Sequence, residues 1–330
     1  MSNKRAIRWG IMGPGRISRK FASDLKFAEG AELTAVAGRA LDKAKDFAQE
    51  FDVPKAYGSC EELAADPDID LVYIGTLHPA HKDNAMTCLR GGKAVLCEKP
   101  FTVNAAEAEE MIAYARKNRL FLMEAMWTRY LPPIVQVRQW LEEGKIGEVQ
   151  LLQAAFGFDG GWNPESRLLK RELGGGALLD TGIYVVSLAS MLAGGKQPDR
   201  ISSSGRLGES GVDERFSLLF HYDSGLTATL HGAVRLSLNN EAWIFGTEGK
   251  IHIPSFLAAR SATLYVKDAE PVTFQDDREF FGYTYQAMEA MDALREGRLE
   301  SAVMPLDETL IIMKTMDAIR AQWGLAYPGE

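Results

Sequence analysis

Glu98, Lys99 and Pro100 close the apolar run Ala94-Val-Leu-Cys97, so a carboxylate and an ammonium stand where a buried strand should end. Ligands of open α/β sheets bind at the carboxyl ends of the strands. Lys99 is therefore a candidate for proton-transfer chemistry, with a strand-end ion pair and turn proline as the plain structural alternative. Upstream, Gly10-Ile-Met-Gly13-Pro-Gly15-Arg16-Ile17-Ser18 follows one apolar run and opens a helical one. Glycines at such a junction allow a tight turn and let backbone approach a pyrophosphate, whose charge a helix N-terminus favours. Ser18 replaces the third glycine of the usual pattern and is small enough for close helix–strand packing. A merely tight βα turn is the alternative.

The second strand ends Val36-Ala37-Gly38-Arg39, with no carboxylate to hold a ribose 2′-hydroxyl. A carboxylate would repel a 2′-phosphate, whereas Arg39 can pair with it. The expected cofactor is NADP(H) in preference to NAD(H), with Gly38 and Arg39 at its adenosine end. A solvated surface role for Arg39 is the alternative. Thr76, His78 and His81 follow the run Leu71–Gly75 at the same sheet edge and are expected to line the nicotinamide or cap a helix. No Asp, Glu or Cys nearby completes a ligand set with the two histidines, so no metal is expected.

These residues need a frame of alternating strands and helices. Strand patterns are read at 6–12, 32–37, 70–75, 93–97 and 120–124, and helical ones at 16–27, 41–51, 80–89 and 105–118. This alternation implies βαβ units and a doubly wound parallel sheet over 1–125. Over 126–330 the texture changes to strands at 148–158, 200–208, 213–222, 226–234, 241–246, 250–253 and 262–266. Turn-sized gaps between them indicate an antiparallel sheet, with helices at 129–143, 176–193, 283–296 and 307–323. The expectation is an α/β Rossmann domain followed by an α+β substrate domain, the last helices packing back on the first.

The chain has 330 residues and a formal net charge of −8. Room for two domains and an ordinary apolar content suit a globular protein. The acidic balance without basic runs argues against nucleic-acid or anionic-membrane partners. No run approaching 18 apolar residues and no apolar leader is read, so a cytoplasmic location is expected. Cys60, Cys88 and Cys97 are odd in number and widely spaced, as reduced thiols would be.

The glycine loop, Thr76–His81, Glu98-Lys99-Pro100 and Gly174-Gly-Gly-Ala-Leu-Leu-Asp180-Thr-Gly-Ile-Tyr184 come in the order found in the glucose–fructose oxidoreductase / inositol dehydrogenase (Gfo/Idh/MocA) family. The resemblance covers nearly the whole chain. Met123-Glu-Ala-Met-Trp127-Thr-Arg129-Tyr-Leu-Pro-Pro133 and Tyr184, where many members carry histidine, resemble the branch of dimeric dihydrodiol dehydrogenases and NADP-dependent D-xylose 1-dehydrogenases. Thr76-Leu77-His78 departs from the Thr-Pro-His usual there. The resemblance implies a Rossmann domain and an open, predominantly antiparallel C-terminal sheet whose open face often forms a homodimer interface. It also implies that Lys99 is the catalytic lysine, Tyr184 the acid/base tyrosine and Asp180 the aspartate one helical turn earlier. The implied reaction is hydride transfer between NADP(H) and a sugar hemiacetal or cyclic trans-diol. Alternatives are a ketosugar or dicarbonyl reductase and a non-catalytic NADP-sensing regulator.

A tyrosine with its ordinary pKa of about 10 is a poor base near neutral pH, and a neighbouring ammonium favours its ionised form. Lys99 and Tyr184 can then work as an acid/base unit. Asp180, four residues before Tyr184, shares its helix face and can orient a substrate hydroxyl or the Lys99 ammonium. For Tyr184 the alternative is a core aromatic. Trp127 and Arg129, with Tyr130, offer an aromatic floor and a hydrogen-bonding cation to a polyol, core packing being the rival for Trp127. Phe158 is placed against substrate, and Glu98, Trp162 and Arg167 against the cofactor.

Overall fold

The computed structural model of the chain describes residues 5–330. In chain order its elements begin β1 (Ile7–Met12), α1 (Arg16–Leu25), β2 (Ala31–Ala37), α2 (Leu41–Phe51), β3 (Lys55–Tyr57) and α3 (Cys60–Ala65). They continue β4 (Leu71–Ile74), α4 (His81–Arg90), β5 (Ala94–Glu98), α5 (Ala105–Lys117), β6 (Leu122–Ala125), α6 (Pro132–Glu142), β7 (Val149–Gly157) and α7 (Ile183–Leu192). The remainder is β8 (Arg200–Leu207), β9 (Asp213–His221), β10 (Thr227–Ala233), β11 (Ala242–Gly246), β12 (Gly249–Ile253), β13 (Ser261–Val266), β14 (Val272–Gln275), α8 (Tyr283–Arg295) and α9 (Leu306–Trp323). Two compact units emerge. The first holds the chain through Thr102, Ala106–Trp127 and Glu279–Thr309; the second holds Val103–Ala105, Thr128–Arg278 and Leu310–Glu330.

In the first unit six parallel strands lie in the order β3-β2-β1-β4-β5-β6. This is the doubly wound arrangement, with its crevice where β1 and β4 diverge. Strands β4, β5 and β6 are buried at every position, as strands covered on both faces must be. Trp9, Phe21 and Tyr73 form an aromatic column beside β1 and β4, the last two rings stacked at 3.9 Å. Buried Asp24, at the end of α1, accepts from the backbone N–H groups of Phe281, Gly282 and Tyr283 and so caps α8.

In the second unit eight strands lie in the order β14-β13-β12-β11-β7-β10-β9-β8, and every pairing is antiparallel except β7 with β10. The sheet is thus predominantly antiparallel, with one parallel joint at its centre. That joint needs a long crossover, and α7, β8 and β9 lie within it. Ile183, Val185 and Ala189 of α7 are fully buried. The segment Arg171–Leu192 is long and apolar enough to cross a membrane, which the sequence reading missed; 89% of its apolar window is buried inside the protein, as in a core helix. Strands β3 and β14 and helix α3 were also missed. All three are short, and on β3 charge also interrupts the pattern: Lys55 pairs with Asp66 and Asp68.

Ser18 in α1 is accommodated by a glycine on the neighbouring strand end. A Cβ at Gly75 would stand 2.2 Å from Ser18 Oγ and 2.9 Å from the Tyr73 ring. We expect Gly75→Ala to destabilise the protein by about 1–3 kcal/mol through overpacking, with Ser18→Gly restoring part of the loss. Urea unfolding measures it; a loss below about 0.5 kcal/mol would show that the junction yields freely.

Candidate functional site

In the first unit the glycine segment turns from β1 into α1. Gly13 has φ +95°, and a Cβ there would collide with Thr76 and the Gly75 carbonyl. Gly15 is different. Its φ of −88° suits any residue, and a Cβ would meet only Gly75 O at 3.8 Å. The protein's own packing does not require glycine at position 15. Gly15, the N-cap of α1, has no side chain to cap the first-turn N–H groups, and N–H groups left so at a helix start suit an anion such as a pyrophosphate. Arg16 beside it is exposed and Ile17 half-buried. Gly10 lies within β1, not in the turn, and its missing side chain admits Leu63 and Ile69. A Cβ at Gly38 would strike the Pro14 ring, so it shapes the turn from outside. Arg39, just past β2, is exposed and held by no ion pair among the described residues.

The Glu98-Lys99-Pro100 turn is fixed from within. Glu98 is 4% exposed; it accepts from Tyr73 O–H at 2.6 Å and from its neighbour's N–H at 3.1 Å. Burial pushes its carboxyl up to about 7. Glu98 therefore sits beneath the turn, and the half-buried Lys99 is the group it presents; the Lys99–Pro100 peptide is cis. His81 is fully buried, its ring nitrogens 2.8 Å from Pro100 O and 3.1 Å from Thr76 O. Burial lowers its pKa, so the neutral ring donates one N–H. That N–H goes to one of the two carbonyls, so the ring bonds either the Pro100 or the Thr76 turn and packs against the other. Asn84 adds a bond to Thr76 Oγ1, His78 is buried beside His81, and Trp127 is 5% exposed against the Tyr283 ring.

In the second unit Asp180 and Tyr184 come from one continuous helical segment, buried to 7% exposure each. It opens as a π-helical turn over Leu178–Gly182 before continuing as α7, and such turns recur at functional sites. Asp180 receives Arg167 Nη1 at 2.9 Å, so Arg167, placed against the cofactor by its sequence position, is here the partner of the acid. Tyr184 packs edge-on against Phe156, which also neighbours the half-buried Phe158. Trp162 is exposed with Arg235 over its ring. Arg129, expected at the substrate, is 3% exposed and donates to Ser187 Oγ and O; this ties the chain before α6 to α7.

Asp213 was not foreseen. It is fully buried at the start of β9, and its Oδ2 accepts from Leu178 N at 2.6 Å. It caps the Asp180–Tyr184 segment from a distant strand. Burial pushes its carboxyl up to about 7. The only signal in the chain is an acid opening an apolar run after Gly211. Cys60, Cys88 and Cys97 are free and buried.

Residues 7–126 match the family model described as "GFO_IDH_MocA: Oxidoreductase family, NAD-binding Rossmann fold", and residues 134–252 match the "GFO/IDH/MocA C-terminal domain". Trans-1,2-dihydrobenzene-1,2-diol dehydrogenase of Xenopus tropicalis is 40% identical over 334 residues, covering 98% of this chain and 100% of that one. The Homo sapiens protein of the same name is 40% identical over 336 residues, covering 98% and 99%. Among solved structures, a 3-ketoreductase from Actinomadura kijaniata in complex with NADP and TDP-benzene superposes with TM-score 0.83 at 26% identity, covering 96% and 98%. The aldose-aldose oxidoreductase of Caulobacter crescentus, at 24% identity and TM-score 0.88 over 97% and 99%, shares the fold.

The two buried acids predict a pH dependence. The ordinary carboxyl values are 4.5 for Glu98 and 3.8 for Asp213, and both rise to about 7 in the folded protein. Between these limits the folded state holds protons that the unfolded chain has released. Stability from these groups is full below about pH 4 and is lost as pH rises through 7, by up to about 1.4 kcal/mol per pH unit for each. Denaturant melts at pH 5, 6 and 7 should show a slope that Glu98→Gln and Asp213→Asn each reduce; a slope unchanged in both variants contradicts the assignment.

Proposed function

The chain belongs to the GFO/IDH/MocA family of oxidoreductases, and from that premise we propose that it moves a hydride between NADP(H) and a cyclic trans-diol or sugar hemiacetal. The observation that carries this reading is the full-length likeness to proteins named trans-1,2-dihydrobenzene-1,2-diol dehydrogenase, in a chain that retains Lys99, Asp180 and Tyr184 together.

The Gly13–Ile17 turn and the first-turn amides of α1 would hold the pyrophosphate, and Arg39 the 2′-phosphate. Nicotinamide supplies the two-electron acceptor when bound. The rest is the chain's own work. Tyr184 accepts the hydroxyl proton as the carbon is oxidised, and Lys99 serves as the cation that favours its ionised form and steadies charge on the reacting oxygen. Asp180, its charge balanced by Arg167, orients a neighbouring hydroxyl. A second reading, reduction of a ketosugar, draws on the likeness to the NADP-bound 3-ketoreductase; the same tyrosine then gives its proton to the carbonyl oxygen. The reading extends to a homodimer through the outer face of the second sheet. There Trp243 stacks on His252 at 4.0 Å and near Tyr265, with Lys250 over two of the rings. An isologous interface brings one such patch against its copy.

The test is turnover followed at 340 nm with trans-1,2-dihydrobenzene-1,2-diol, pentoses and hexoses. Tyr184→Phe and Lys99→Met should each lower kcat by about 100-fold or more, with NADPH affinity in Tyr184→Phe within about twofold of wild type. Arg39→Asp should shift the kcat/KM ratio toward NAD by at least about tenfold. NADPH binding without turnover of any substrate would instead indicate a sensor. Light scattering should return twice the chain mass, falling to one chain mass in Trp243→Glu; a monomeric parent protein rules the interface out.

A further inference from the structure

We propose that Tyr327 is a positioning residue for the reaction: its hydroxyl holds the glycine turn from which Asp180 and Tyr184 project. The inference rests on the catalytic roles assigned to those two residues above. Tyr327 is buried, and its O–H donates to Gly175 O at 2.6 Å. A second tie lies beside it, where Arg171 Nε donates to Ala326 O at 2.7 Å. The segment 324–330 therefore grips the 171–176 turn at two points.

The turn has little freedom to answer otherwise. Gly174 and Gly176 have φ of +71° and +123°. The Gly175 and Gly176 N–H groups donate to Lys170 O and Leu168 O, next to the Arg167 that pairs with Asp180. A Cβ at Gly176 would stand 2.3 Å from Asp213 Oδ1 and 3.0 Å from Tyr327 Oη. The turn is thus closed between Asp213 on one side and the phenol on the other. Its next backbone bond, Asp180 N to Gly176 O at 3.2 Å, already belongs to the segment that carries the acid.

Tyr327 is itself secured. Arg320, 3% exposed, lies over its ring at 5.1 Å. The guanidinium binds Glu330 in bidentate fashion at 2.7 and 2.8 Å and Asp317 at 2.6 Å, and Glu330 accepts from Tyr327 N. Of the ring substituents only the hydroxyl reaches the turn, so Tyr327→Phe removes one bond and keeps the packing.

The experiment compares wild type, Tyr327→Phe, Tyr184→Phe and the double variant, with trans-1,2-dihydrobenzene-1,2-diol and D-xylose as probes. Tyr327→Phe should lower kcat about tenfold, with KM and NADPH affinity within about twofold. In the Tyr184→Phe background the same change should alter residual kcat less than about twofold, because groups acting through one another are not additive. Arg171→Ala, at an exposed position, removes the second tie and should lower kcat about threefold if the turn's placement matters. An unchanged kcat in both tie variants, or an undiminished loss in the double variant, overturns the inference. Full activity in Tyr184→Phe would sink the catalytic assignment itself, a result separable because it appears before Tyr327 is touched.

Discussion

A carboxylate cannot stay buried without donors, and the geometry of the Glu98 turn follows from that requirement. The Tyr73 phenol and the Lys99 backbone N–H supply the donors, and meeting them closes the chain over its own strand end. Tyr73 is in turn held flat by Phe21, a residue of the helix that the glycine turn opens. The glycine turn and the lysine turn are therefore set by one column of side chains through the first sheet. Breaking such a network by removing one partner leaves a polar group unsatisfied in a low-dielectric interior, which costs more than the bond itself contributes.

The second unit repeats the device with different parts. Asp213 is buried against the N–H groups that begin the Asp180–Tyr184 segment, and its uncapped oxygen faces the glycine turn. Asp213 serves the backbone, and Glu98 serves the Tyr73 hydroxyl and the Lys99 backbone together. Each fixes a main-chain segment, and the candidate reactive group is the neighbour that this segment presents. The acids themselves are shielded, so neither is the reactive group.

The pattern of legibility follows from the same physics. Continuous apolar runs and turn glycines were read well: all of β4–β6 and the run from β7 to β13 lie within a residue or two of expectation, because periodicity and turn chemistry are local signals. Strand β3 was not, since its lysine faces a pair of aspartates across the chain. At the site, residues defined by sheet-edge position (Gly13, Gly15, Thr76, Lys99) lie where topology puts them. Residues defined by partners were less transparent. Arg129 bonding Ser187, Arg167 bonding Asp180 and Asp213 capping Leu178 are each pairings between positions far apart in sequence or on different elements. An apolar pattern cannot reveal them, because each pairing satisfies a polar group that the pattern counts only as an interruption.

The parallel joint between β7 and β10 bears on how the second unit assembles. Leu151 aligns with Thr227, so the central pair of the sheet forms only once the intervening chain has been gathered into a closed loop. Closure of that kind loses configurational entropy before contacts compensate, and folding slows as the sequence separation of native contacts grows. Asp180 and Tyr184 lie inside this loop. Asp213, at the start of β9, lies inside the same loop, so its cap on Leu178 can form before the closure. What the closure adds to the segment's surroundings is β10, which pairs with both β7 and β9.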